Sequence, residues 1–122
     1  MGYTHYFPHT EVPEEIWEKI VEDCKKVLRN TSILIEAHPF LDDICFNGLG
    51  DDGHETFLLE RKGSDGFGFQ FCKTAQKPYD LLVCACLLIY KHHSPNTIEL
   101  FSDGDEEDWK ESTELVNLVF GY

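Results

Sequence analysis

Pro78-Tyr79-Asp80-Leu81-Leu82-Val83-Cys84-Ala85-Cys86-Leu87-Leu88-Ile89-Tyr90-Lys91-His92-His93 is the stretch that decides the fold. From Leu81 to Ile89 every side chain is apolar, with no polar position at either the helical or the strand period. The run is far shorter than the roughly 18–20 residues a membrane span needs. A helix that is apolar all round has to be covered by protein on every side. The spacing therefore predicts a buried central helix over about 78–93, with Pro78 in its first turn and Lys91, His92 and His93 complementing the negative end of its dipole.

Outward toward the N-terminus, Pro13 to Arg29 carries Ile16, Trp17, Ile20, Val21, Cys24, Val27 and Leu28 on one stripe at the helical period. Glu14 and Glu15 open this helix, Lys25, Lys26 and Arg29 close it, and Asn30 is placed to cap it. Gly2 to Phe7 alternates, so Tyr3, His5 and Phe7 share one face of a strand that Pro8 ends. Ser32 to Ala37 is a short strand ended by His38-Pro39. Asp43 to Gly48 and Glu55 to Arg61 flank the turn Gly48-Leu49-Gly50-Asp51-Asp52-Gly53, which predicts a hairpin. A second turn, Gly63-Ser64-Asp65-Gly66, leads to a strand in which Phe67, Phe69 and Phe71 face one way and Gly68, Gln70 and Cys72 the other. Thr97 to Phe101 is a further strand, and Asp105 caps a last helix through Trp109, Leu115 and Val119. The sum is an α+β chain, one domain over 1–122, with an antiparallel sheet of about five strands and three helices on one face of it. The open face of that sheet is a candidate surface for self-association.

Composition narrows the function. With 42% hydrophobic residues the chain has the material for a core. The N-terminus lacks a basic-then-apolar export signal, no span is long enough for a membrane, and five cysteines, an odd number without a Cys-x-x-Cys pair, read as free buried thiols. Together these point to the cytoplasm, which is the host cytoplasm for a phage-encoded protein. A net charge of −13 disfavours direct binding to nucleic acid, whose phosphates demand a basic face.

Within that acidic chain, Phe67 to His93 holds three lysines against the single acid Asp80, a net charge of +2. Lys73, Thr74 and Lys77 stand just before the expected helix start, where unpaired N–H groups favour anions. Lys91 lies fourteen residues beyond Lys77, roughly 21 Å along a helix, so one phosphate cannot touch both. His54 and Glu55 are acid–base residue types, but neighbours on a strand point to opposite faces. The six histidines show no helical His-x-x-x-His pair and no finger spacing with the cysteines, so no metal and no cofactor is expected. The acidic run Asp103 to Asp108 lacks the glycine and distal glutamate of a calcium loop and reads as a helix N-terminus. No nucleophile elbow, phosphate loop or dinucleotide fingerprint is present.

Five blocks carry a resemblance: Met-Gly-Tyr-Thr-His-Tyr at 1–6, Phe-Asn-Gly with Gly-His-Glu in 46–55, Phe-Cys-Lys-Thr-Ala with Lys-Pro-Tyr-Asp in 71–80, Lys-His-His at 91–93 and Ser-Asp-Gly at 102–104. With them the chain resembles a family of small proteins of bacteria and their phages. The resemblance transfers no mechanism, but it marks Tyr3, His5, Tyr6, Asn47, His54, Glu55, Lys73, Thr74, Lys77, Tyr79, Asp80, Lys91, His92, Ser102 and Asp103 as candidate ligand-binding positions. Aromatic rings stack on bases, lysines hold phosphate, and an asparagine reads an edge by hydrogen bonds. The leading expectation is a small-molecule binder for a nucleotide-like anion such as a cyclic nucleotide, which in a phage would sequester a host defence signal. The alternatives are a small hydrolase using His54, His92 or Glu55, and an acidic inhibitor that mimics nucleic acid.

Overall fold

The computed structural model describes residues 3–8, 12–37, 43–61, 69–94 and 99–122. Their order is β1 (Thr4–Pro8), α1 (Glu14–Arg29), β2 (Ile35–Ala37), β3 (Ile44–Gly48), β4 (Phe57–Leu59), β5 (Phe69–Lys73), α2 (Asp80–His93), β6 (Phe101–Ser102) and α3 (Glu106–Phe120), with a 3-10 turn at Gly50–Asp52 between β3 and β4. The class is α+β, as the periodicity predicts. The expected Gly63–Gly66 turn, Phe67, His9 and the His38-Pro39 break lie outside the described residues, as does the Thr97 start of the last expected strand.

The single five-stranded sheet is a correction. The strands form two antiparallel three-stranded sheets, ordered β5-β1-β6 and β2-β3-β4. The β3–β4 hairpin is present, pairing Ile44 with Leu59 and Phe46 with Phe57. β5, however, leaves the hairpin and pairs with β1, Thr4 opposite Lys73 and Tyr6 opposite Phe71. Alternation says which face of a strand is buried and nothing about its neighbour, so a local reading adds β5 to the nearest hairpin. The two sheets still meet: Glu55 N–H donates to the Lys73 carbonyl at 3.1 Å, and the Phe7 ring stands edge-on to Phe57 at 5.7 Å.

α1 buries Trp17, Ile20, Cys24 and Val27, the stripe its spacing draws. Pro13 is the residue before the first turn, and its carbonyl accepts from the Ile16 and Trp17 amides. α2 buries eight of its fourteen residues and packs against both α1 and α3. Its start differs from expectation: Asp80 is its first residue, two after Pro78. The delay has a local cause. Ala75 and Gln76 both adopt left-handed backbone (φ 52° and 55°), which reverses the chain after β5. Lys77 N–H then bonds the Thr74 carbonyl and Asp80 N–H the Lys77 carbonyl, closing a tight turn before the helix. One core cluster draws on both sheets and all three helices. All five cysteines are free thiols; four are buried, while Cys45 is half-buried.

Candidate functional site

His5 anchors the site. It is fully buried on β1, and the strand register places it opposite Ser102 of β6 on one side and Cys72 of β5 on the other. Side chains at opposed positions share a face and lie within reach. Backbone contacts lock the same three segments: Thr74 N–H to the Tyr3 carbonyl at 3.0 Å, Asp103 N–H to the Thr4 carbonyl at 2.9 Å, and Thr4 N–H to the Asp103 carboxylate at 3.0 Å.

The imidazole joins two partners. Its Nδ1 lies 2.7 Å from Ser102 Oγ and its Nε2 2.6 Å from Asp80 Oδ1. Donor counting assigns the protons. Ser102 Oγ already accepts the Gly104 amide at 2.9 Å and the Trp109 indole N–H at 3.3 Å, so its own hydrogen goes to Nδ1. Nε2 then carries the ring proton and donates to Asp80, which also accepts the Thr74 hydroxyl at 2.5 Å. Asp80 is thereby held in one orientation by donors from two directions. Tyr3 and Trp109 wall the imidazole edge-on, each with its ring centroid 5.1 Å away. Cys84, one helical turn after Asp80, brings its sulfur to 3.4 Å from His5 Nε2 and 3.8 Å from Asp80 Oδ2. Burial, then the Asp80 charge, pushes the Cys84 thiol well above its ordinary range, so it stays protonated.

In front of this cluster opens a cavity of about 430 Å³. Tyr3, Lys77 and Asp80 line it together with Gln76, Ile33, Pro78 and Leu81, and Glu107, Asp108 and Glu111 of α3 form the facing wall. α3 is set there by its capping box, in which Asp105 and Asp108 bond each other's backbone N–H, and by the Ser112 hydroxyl on the Leu81 carbonyl. The Tyr3 hydroxyl oxygen is buried, with no hydrogen-bond partner among the described residues. It presses so closely on Gly104 that a Cβ there would overlap it. Burial first, then Asp80 and Asp108, raises the Tyr3 phenol to about 12.

Of the sequence-derived candidates, Tyr3, His5, Thr74, Lys77, Asp80 and Ser102 come together here, and Asp103 ties β1 to the turn after β6. The others disperse. Asn47 staples the β3–β4 turn, bonding the backbone of Gly48 and His54 and the Thr56 hydroxyl. His54 is exposed on that turn. Glu55 accepts the Lys73 amide with its carboxylate, and its carbonyl accepts the buried Tyr79 hydroxyl. The first contact ties the segment before β4 to β5, and the second ties it to the residue before α2. The Lys73 side chain is exposed and does not line the cavity. Tyr6 sits on the outer face of its sheet beside Phe71, their ring centroids 6.4 Å apart. Lys91 and His92 are at the far end of α2, where His92 stacks on Tyr122 at 3.6 Å and His93 bonds Asp23 at 2.6 Å. Of the hydrolase candidates, His54 and Glu55 are thus neighbours beside the β3–β4 turn, while His92 lies at the far end of α2.

Sequence reasoning missed Cys84, Gly104, Trp109 and the α3 carboxylates. Asp80-x-x-x-Cys84 has the spacing that puts two side chains on one helix face and was legible. The approach of α3 had no local signal. No family model, curated protein or solved structure matches the chain.

Proposed function

We propose that the protein binds a small molecule in the cavity floored by Asp80, and that the ligand presents a cationic donor, an amine or guanidinium, to that carboxylate. The observation that carries the reading is the charge of the lining: among the described residues, Asp80, Glu107, Asp108 and Glu111 stand against the single base Lys77. Asp80 is already oriented by Thr74 and His5, so a charge-assisted hydrogen bond to it needs little further ordering. Tyr3, Ile33, Pro78 and Leu81 supply aromatic and apolar wall beside the charged groups, the mixed lining that small-molecule sites use.

A nucleotide-like anion is the second reading. Lys77 and Tyr3 stand in the same lining and favour it. Against it, Lys73 is elsewhere, and Asp80 in the first turn of α2 already faces the positive end of that helix dipole. The idea that a phage protein of this kind sequesters a defence signal goes with this second reading.

A thermal-shift panel separates the two. Agmatine and spermidine represent the cations and a cyclic dinucleotide the anion. Ligand at a hundred times its Kd stabilises the folded state by about 2.7 kcal/mol, a clear rise in Tm. The first reading predicts a rise with the amines that Asp80→Asn removes. A rise with the dinucleotide alone, removed by Lys77→Glu, would replace it with the second. Ligand recovered chemically changed after incubation would make the site an enzyme's.

A further inference from the structure

The side chains behind the cavity floor have a use that their hydrogen bonds do not exhaust. We propose that His5, Asp80 and Cys84 form a site for a divalent transition-metal ion of the zinc class, with its fourth coordination position turned to the cavity. The three donor atoms lie within 4.8 Å of one another and bring nitrogen, oxygen and sulfur, a set that borderline-soft zinc accepts.

The two separations to the sulfur are close to those around a tetrahedral ion. With zinc bonds of about 2.0–2.3 Å, the donors at the corners of a tetrahedron stand about 3.3–3.6 Å apart. His5 Nε2 and Cys84 Sγ are 3.4 Å apart, and Cys84 Sγ and Asp80 Oδ2 are 3.8 Å apart. Asp80 Oδ1 at 2.6 Å from Nε2 is too near to share the ion with it, so Oδ2 is the ligand. Oδ1 keeps the Thr74 hydroxyl, and Ser102 faces the other imidazole nitrogen. Those are the outer contacts that orient a ligating carboxylate and a ligating histidine. Asp80 also lines the cavity, which gives the ion an entry path and leaves water as the fourth donor.

The protons balance. The ion displaces one proton from Nε2 and one from Cys84 Sγ. The imidazole regains one on Nδ1, which now donates to Ser102 Oγ, and the longer Trp109 contact gives way. One proton per ion leaves to solvent. A spacing reading that looks for His and Cys close in sequence does not reach such a set. Here 75 residues separate His5 from Asp80.

The test is cobalt(II) titration of the metal-free full chain under reducing conditions, followed by zinc displacement. The proposal predicts one Co(II) per chain, a sulfur-to-metal charge-transfer band, tetrahedral d–d bands and loss of all three on adding zinc. Cys84→Ser abolishes the charge-transfer band, and Asp80→Asn weakens binding at least tenfold. Ser102→Ala weakens it about 10–100-fold through the outer contact. Cys45→Ser changes nothing. A wild-type chain that binds no Co(II) at micromolar concentrations overturns the proposal whatever the variants do, as does a charge-transfer band that survives in Cys84→Ser. None of these readouts depends on whether an amine binds, so this site and the ligand reading fail separately.

Discussion

At the residue scale, His5 shows how a buried polar side chain is made tolerable. Its two ring nitrogens are both satisfied, and its partners are held in turn by Thr74, Gly104 and Trp109. Removing the ring strands a carboxylate and a hydroxyl, so His5→Leu should cost about 2–4 kcal/mol in urea unfolding. Tyr3 is the converse case. Its hydroxyl oxygen finds no hydrogen-bond partner among the described residues and crowds Gly104. Tyr3→Phe is accordingly expected to leave the protein's stability within about 0.5 kcal/mol of wild type or raise it. Gly104→Ala should destabilise by about 1–3 kcal/mol, and Tyr3→Phe in the same chain should recover part of that loss. Additive losses in the double variant would show that the crowding is not the cause. These roles were half legible. Tyr3 and His5 stand on one strand face by alternation, and that face is indeed buried. That Ser102, 97 residues away, completes the bond is a matter of strand register, which periodicity does not encode.

At the element scale, the turn between β5 and α2 is the strained part of the scaffold. Two successive non-glycine residues in the left-handed region cost on the order of 1 kcal/mol each. Ala75→Gly should therefore be neutral or stabilise by up to about 1 kcal/mol, where glycine replacing alanine elsewhere destabilises. A loss above 1 kcal/mol in chemical denaturation would mean that the strain reading is wrong. Helix α3 depends on its cap, and Asp105→Ala should cost about 0.5–2 kcal/mol and loosen the acidic wall of the cavity. The three helices could be read from the sequence because amphipathic spacing, caps and the apolar run are all local. On β5 the aromatic run drew the eye, yet Phe71 is exposed and Cys72 is the buried side chain. Alternation gave two faces there, and only the pairing with β1 selects the inner one.

At the scale of the whole molecule, buried thiols and phenols set the alkaline limit. Burial raises Tyr3 and Cys72 to about 12 and pushes Cys24, Cys84, Tyr79 and Tyr122 in the same direction. The unfolded chain releases these protons at lower pH than the folded one does, so stability is whole below about pH 9 and falls as pH rises from 9 toward 12. Urea midpoints at pH 8 to 11 under reducing conditions check this, and a flat profile would refute it. The charge excess of the chain also reaches the cavity, where α3 contributes three carboxylates. A basic island read along the sequence did not foresee this, because the opposing wall belongs to an element thirty residues away in the chain. The direct measurement is isothermal titration of agmatine into the wild type, Asp80→Asn and Lys77→Gln. The account predicts binding to the wild type, binding at least as tight to Lys77→Gln, and a loss of at least tenfold in Asp80→Asn. Undiminished binding in Asp80→Asn, or binding abolished by Lys77→Gln, would contradict it.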